Sequence, residues 1–199
     1  MKISVVLPTV ILTKELEDLT IQAIKSYREA DEIIVSEDGG MFSPKIMALA
    51  DIYIYNTYNS GFTKNVNRGW KNASGDFIMI ANNDTYLIEG SLKDLCIPGK
   101  ITSPLIVNQS IEGMAGPFWV IPKELTAERG YLVEELKTYY SDTDYADRTK
   151  DIFQKVTNVK IYHEQSKTIK TQGINESKEL SGDRQIYELL KSRERVKQL

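Results

Sequence analysis

The sequence predicts a single α/β domain with a mainly parallel central sheet, helices on both faces, and an amphipathic helix at its C-terminal end. Three observations predict it. Strand and helix patterns alternate four times within the first 85 residues, the rhythm of crossover units that build parallel sheets. The first two strand patterns are continuous apolar runs, as expected of strands covered on both faces. Polar clusters (Pro8-Thr9, Glu37-Asp38, Asn59, Asn82-Asn83-Asp84) all fall at the carboxyl ends of predicted strands, where such sheets bind ligands.

Taken in order, "KISVVLPT" reads as a buried strand stopped by Pro8. Thr13 suits an N-cap, followed by Leu16, Leu19, Ala23 and Tyr27 at helical spacing. "EIIVSEDGG" is a second strand running into acidic residues and a glycine turn. "SPKIMALA" suits a short helix with Pro44 in its first turn. "DIYIYN" is a third strand, "TKNVNRGWKNA" a helix and "DFIMIA" a fourth strand. Beyond it, "AGPFWVIP" reads as a strand. "GYLVEELKTYYSDTDYADRTKDIFQKV" reads as a short helix, a break near Ser141 and a second helix. "VKIYH" is a last strand ending on the sole histidine, and Glu164 to Gly182 reads as a polar loop. "DRQIYELLKSRERV" closes the chain as a helix with Ile186, Leu189, Leu190 and Val196 on one face.

With 199 residues, 41% hydrophobic and 27% charged, the chain has the composition of an ordinary globular protein. No apolar run approaches the ~20 residues of a membrane span, and Lys2 with a short strand does not make a signal peptide. Cys96 is the only cysteine, which excludes an internal disulfide and makes a reducing cytoplasm the expected compartment. Residues 1–147 carry 13 Lys/Arg against 21 Asp/Glu, and residues 148–199 carry 12 against 7. The basic end suits a solvated helix, an anionic acceptor or peripheral contact with a membrane surface. Its charges are neither dense nor interleaved with aromatics, so no nucleic-acid partner is expected.

The chemistry concentrates at "IANNDTYL". A hard cation such as Mg²⁺ or Mn²⁺ takes one or two carboxylates together with substrate phosphates. Asp84 can supply one carboxylate there, with Asn82 and Asn83 adding carbonyl oxygens or holding a ribose; an Asx-turn explains the tripeptide equally well. Asp38 ends the second strand, where a carboxylate can accept from a base or ribose. Gly61, Lys64 and Asn67 sit where a loop enters a helix, a place suited to phosphate or nucleotide contact as well as to turn and surface roles.

The stretches "ISVVLPT", "IIVSEDGG", "NSGFTKNVNRGWKNASGDFIMIANNDT" and "GYLVEELKTYYSDTDYADR" resemble, in order and spacing, family 2 glycosyltransferases of the Rossmann-like GT-A fold, most of all bacterial rhamnosyltransferase-like members. The resemblance spans residues 2–165. It implies a GT-A domain over 1–165, with a nucleotide-binding half (1–90) and an acceptor and catalytic half (91–165), followed by a polar loop and helix over 166–199. Asn82-Asn83-Asp84 resembles the family's Asp-x-Asp motif, with Asp84 as the metal ligand. The same resemblance places Asp38 at the base, Pro8 and Thr9 at the edge of the base pocket, and Lys64 near the nucleotide. "SDTDYADR" is similar to the segment that carries the catalytic base. That implies Asp142 as base, Asp144 and Arg148 as its flanking pattern, and His163 as a second metal ligand. Without the resemblance, Asp142 and Asp144 are equally a cap and a first-turn charge of a helix.

The implied activity is inverting, divalent-cation-dependent transfer of a sugar from a UDP-, dTDP- or GDP-linked donor to a glycan or lipid-linked hydroxyl. One general base suffices for such a transfer. Phe118 and Trp119 are candidates to stack on an acceptor sugar, with core packing as the alternative. The helix face from Ile186 to Val196 is a candidate homodimer contact, and the expected location is the cytoplasm or the cytoplasmic face of a membrane. Three departures stand out: Ser141 where the family has glutamate, Gly39-Gly40 in the turn after the second strand, and Leu132-Val133-Glu134 where Phe-Asp-Glu is common. Two rivals remain at this point. One is a nucleotidyltransferase, which the glycine-free, arginine-free "LPTVILTKEL" disfavours; the other is a catalytically degenerate binding module.

Overall fold

The computed structural model describes residues 1–114, 116–164 and 176–197. Its first half follows the alternating pattern: β1 (Ile3–Thr9), α1 (Lys14–Ser26), β2 (Glu32–Asp38), α2 (Pro44–Met47), β3 (Ile52–Asn56), α3 (Phe62–Lys71) and β4 (Phe77–Ala81). Thr13 caps α1 by accepting from the Leu16 N–H, and Ser43 caps α2 ahead of Pro44. The second half adds β5 (Thr85–Glu89), a 3₁₀ turn (Leu92–Leu95), β6 (Ile101–Ile106), β7 (Phe118–Pro122), α4 (Lys123–Arg129), α5 (Ser141–Thr149), β8 (Phe153–His163) and α6 (Glu176–Lys197).

Among the described residues, eight strands form one sheet in the order β3-β2-β1-β4-β7-β6-β8-β5. The four on the first side are parallel to one another, and β7 and β5 run against their neighbours. Every residue of β1 and β2 is buried, the outcome their unbroken apolar runs predict. Successive residues serve opposite faces. Ile3, Val5 and Leu7 join Phe77 and Met79 under α1, with Leu16, Ala23, Ile24 and Tyr27. Val6, Ile78 and Ile80 meet Val66 and Trp70 of α3, Leu125 of α4 and Tyr145 of α5 on the other face.

Several sequence expectations change. Pro8 does not stop β1, which runs through it in register with Ser36; the β1–β4 ladder has already ended at Val6, so a proline is tolerated there. The helix expected in "GYLVEELKTYY" is absent, and that stretch runs as turns and bends up to α5. Tertiary bonds claim its backbone: Asn67 exchanges hydrogen bonds with the Leu132 N–H and C=O, and the Thr63 hydroxyl donates to the Leu136 carbonyl. "DIFQKV" opens the 11-residue β8 instead of continuing a helix. Residues 176–182, expected as loop, belong to α6; the rest of that loop, 165–175, lies outside the described residues. No described helix is long and apolar enough to cross a membrane.

Candidate functional site

The carboxyl ends of β1, β2 and β4 open on a cavity of about 320 Å³. Its walls bring together Pro8, Thr9, Asp38, Asn82, Asn83, Asp84, Asp142 and His163, residues scattered over more than 150 positions. Asn59, Gly61, Phe62, Asn65, Gly116, Thr138 and Tyr139 complete much of the lining.

At the β2 end, two neighbouring carboxylates do different work. Glu37 is fully buried and accepts from the Thr9 hydroxyl and from the backbone N–H groups of Ile11 and Gly40. Burial pushes its carboxyl up from the ordinary value despite those bonds. Asp38 also lies at the wall, but its two oxygens already accept from five groups: Asn56 Nδ2, the Ser60 and Gly61 N–H, the Ser60 hydroxyl, and Arg68 Nη1 at 3.0 Å. A carboxylate offers about four lone-pair positions, so Asp38 is occupied in hanging the 56–61 loop and Arg68 on the end of β2. Asn65 ties the same region together, accepting from Ser36 and donating to the Thr9 carbonyl.

At the β4 end, Asp84 and His163 face each other, with His163 Nε2 3.1 Å from Asp84 Oδ1. Strand pairing puts them there, because Thr85 on β5 is registered with His163 on β8 and the Glu164 N–H donates to the Asp84 carbonyl. Both side chains are nearly inaccessible to solvent. Despite the short distance, Nε2 has no aligned hydrogen-bond partner, and neither does the buried Asn82 Oδ1 on the same wall. Buried polar atoms are ordinarily satisfied, so an orphaned ring nitrogen 3.1 Å from a carboxylate, with a second orphaned oxygen in the lining of the same cavity, fits a divalent cation. Among the described residues no cluster of three His, Cys, Asp or Glu exists, so two protein ligands would leave the other coordination positions to substrate oxygens and water. The Gln109 amide stands 2.9 Å from His163 Nδ1, and the Asn108 side chain grips the His163 backbone from both sides. An amide can present N–H or C=O, so Gln109 can hold the ring in the tautomer that leaves Nε2 free to ligate.

Asp142, half-buried in the first turn of α5, faces the cavity between these two ends. Burial raises its carboxyl pKa above the ordinary aspartate value, partly countered by the Thr143 N–H. Asp144 does not enter the lining. It pairs with Arg148 at 2.8 Å, whose guanidinium donates to the Arg129 and Tyr131 carbonyls and so ties α5 to the chain before it.

Four sequence candidates lie elsewhere. Lys64 is exposed and outside the cavity lining. Asn67 is buried in its bonds with Leu132 and Glu134, which a residue at a loop–helix junction does not betray in sequence. Phe118 and Trp119 are both 0% exposed and belong to opposite core faces of β7, so neither can stack on a sugar. Asn83 reaches the cavity while its amide donates to Thr20 on α1. Sequence reasoning missed Arg68, Gln109 and Gly116; the glycine in "AGPF" next to an apolar strand was the one signal available.

The family model described as Glycosyl transferase family 2 matches residues 4–96. No curated protein sequence matches the chain. Among solved structures it is similar to S. aureus TarS (19% identity, TM-score 0.66), covering 82% of this chain and 36% of that one. GalNAc-T7 with UDP, GalNAc and Mn²⁺ gives 13% identity and a TM-score of 0.69, over 82% of this chain and 44% of that one. The mannosyltransferase PcManGT from Pyrobaculum calidifontis, in complex with GDP-Man and Mn²⁺, gives 15% and 0.63, over 81% and 56%. The chain thus spans between about a third and three fifths of the length of these structures, and the likeness is one of fold.

Proposed function

We propose, from the premise that this chain is a family 2 glycosyltransferase of the GT-A fold, that it moves a sugar from a nucleoside-diphosphate donor to an acceptor hydroxyl with inversion at the anomeric carbon. The observation that carries the reading is the pair Asp84 and His163, 3.1 Å apart with an orphaned Nε2, in the same cavity as a single carboxylate of raised pKa, Asp142.

Each residue then has a task. Pro8, Thr9 and Asn65 wall the end suited to the nucleobase, where Asp38 fixes the 56–61 loop and Arg68. Asp84 and His163 would hold the divalent cation, Mn²⁺ rather than Mg²⁺ by the preference of imidazole, with Asn82 in the lining of the same cavity. Bound there, the cation would offset the charge of the departing nucleoside diphosphate. Asp142 takes the proton of the acceptor hydroxyl as that oxygen attacks; its raised pKa brings the base closer to neutral pH, where proton transfer from a hydroxyl is better matched. With no second carboxylate needed as nucleophile, one displacement inverts the sugar. The structures bound to UDP or GDP-Man with Mn²⁺ support a nucleotide-sugar donor of this kind.

The test is a thermal-shift panel of UDP, GDP and dTDP, each with and without Mn²⁺, on wild type and Asp84→Ala. A ligand present at 100 times its Kd adds about 2.7 kcal/mol to stability. One nucleotide is expected to stabilise only with Mn²⁺, and Asp84→Ala to abolish the shift. Absence of any shift with all three nucleotides would leave a degenerate binding module as the better reading.

A further inference from the structure

The wall that carries Asp142 is not held by the domain that precedes it alone. Three successive backbone N–H groups, of Lys137, Thr138 and Tyr139, point to one carboxylate, that of Asp183 on α6, at 3.2, 2.8 and 2.8 Å. Asp183 is 3% exposed. Three neighbouring N–H groups make a concave donor site that an anion satisfies far better than a neutral group. One helical turn later, Tyr187 stacks on Tyr140 with ring centroids 5.1 Å apart, and its hydroxyl donates to Asp147 on α5. A further turn on, Lys191 pairs with the same Asp147 at 2.7 Å. Residues 183, 187 and 191 form one stripe of α6 by helical spacing.

This stripe clasps the chain on both sides of Asp142. Thr138 and Tyr139, upstream, line the cavity; Asp147 lies on α5, the helix that holds Asp142 in its first turn. Between them Tyr140 adopts the left-handed conformation with φ of 62°, the one non-glycine residue described in that region, and α5 begins there without a side-chain cap. A non-glycine residue persists in that region only when its surroundings hold it.

We propose that Asp183 is a positioning residue: through the three N–H groups of residues 137–139, α6 sets where Asp142 stands in the cavity, while the nucleotide end is independent of it. The proposal rests on the transferase reading for the consequence, and on geometry alone for the contact.

The experiment compares wild type, Asp183→Asn and Asp183→Ala with Tyr187→Phe as a mild control. Amide hydrogen exchange is read at residues 137–145. The nucleotide and Mn²⁺ thermal shift is read in parallel, as is release of nucleoside diphosphate from the matching nucleotide sugar with water as acceptor. In both Asp183 variants, exchange is expected to rise locally at 137–145, and release to fall on the order of 100-fold, the penalty of about 1 Å of misplacement. The nucleotide shift is expected to stay as in wild type. Unchanged exchange at 137–145, or raised exchange with undiminished release, overturns the proposal. Exchange that rises across the whole chain together with loss of the nucleotide shift also overturns it, since Asp183 would then serve general stability. If wild type itself binds no nucleotide, the transferase reading fails while the exchange arm still decides the contact.

Discussion

Gly116 and Asp142 share one space: a methyl group at position 116 would stand 2.1 Å from Asp142 Oδ2. Contacts that short do not occur, so the carboxylate keeps its position only while residue 116 has no side chain. Gly116→Ala is therefore expected to displace Asp142 and lower nucleoside diphosphate release on the order of 100-fold, leaving the nucleotide thermal shift intact. Equal rates for Gly116→Ala and wild type would remove Asp142 from the role of base. In the wild-type pH profile, the acid limb should lie above the ordinary aspartate value of 3.8, as the burial of this carboxyl requires.

Replacing either member of the Asp84–His163 pair should be read first on metal rather than on activity. Asp84→Asn and His163→Gln are each expected to weaken Mn²⁺ binding by tenfold or more, measured as free Mn²⁺ by electron paramagnetic resonance in the presence of the stabilising nucleotide. Gln109→Leu, which leaves Asp84 and His163 in place but removes the amide beside Nδ1, should cost on the order of 10–100-fold. Wild-type affinity in Gln109→Leu would show that the ring needs no such support.

Glu37 makes a stability prediction with a definite sign. Burial raises its carboxyl above the ordinary value of 4.5, so the folded chain binds this proton more tightly than the unfolded chain does. The resulting stability is complete below the unfolded value and is lost as pH rises through the folded one. Glu37→Gln should keep the geometry: its carbonyl can accept from Ile11 and Gly40, and its amide can donate to Thr9, whose hydroxyl turns to the Ser36 carbonyl. Denaturant titrations at pH 4, 5, 6 and 7 should show wild type losing ground to the variant as pH rises. The opposite trend would mean that the charged form is the one the fold prefers.

Trp119→Ala is expected to cost about 3–5 kcal/mol of unfolding free energy by chemical denaturation, the usual range for a large buried aromatic. A stable Trp119→Ala protein with weakened acceptor binding would return this residue to the site.

The parallel half was legible because its physics is local. The apolar stretches within Ile3–Leu7 and at Ile33–Val35 suit strands covered on both faces, and Thr13 and Ser43 announce the helices after their loops. Asp38 and Asp84 could be named because they fall at strand ends, whereas Asp142 and His163 were named only through the family resemblance; all four line one cavity. What escaped notice depends on distant partners. Lys64 and Asn67 sit one turn apart in α3, yet only folding shows that Asn67 is bound to Leu132. "GYLVEELKTYY" carries helical residues whose backbone donors are taken by Asp183, about 45 positions later. On α6 itself, Asp183, Tyr187 and Lys191 are the residues that dock within the chain, a role the apolar stripe did not reveal, while Leu189 of that stripe is 51% exposed. Val196, the last of that stripe, lies outside the described side chains.

The order of the chain gives the Asp183 contact a consequence in time. A ribosome delivers about 5–20 residues per second, so several seconds can separate Asp142 from the carboxylate that holds its wall. Throughout that interval β1 to β4 already have their partners in the nascent chain, whereas the amides of Lys137, Thr138 and Tyr139 do not. During synthesis, therefore, the strands that carry Pro8, Thr9 and Asp38 can pair before the wall that carries Asp142 is held, and that wall is fixed only when residue 183 arrives.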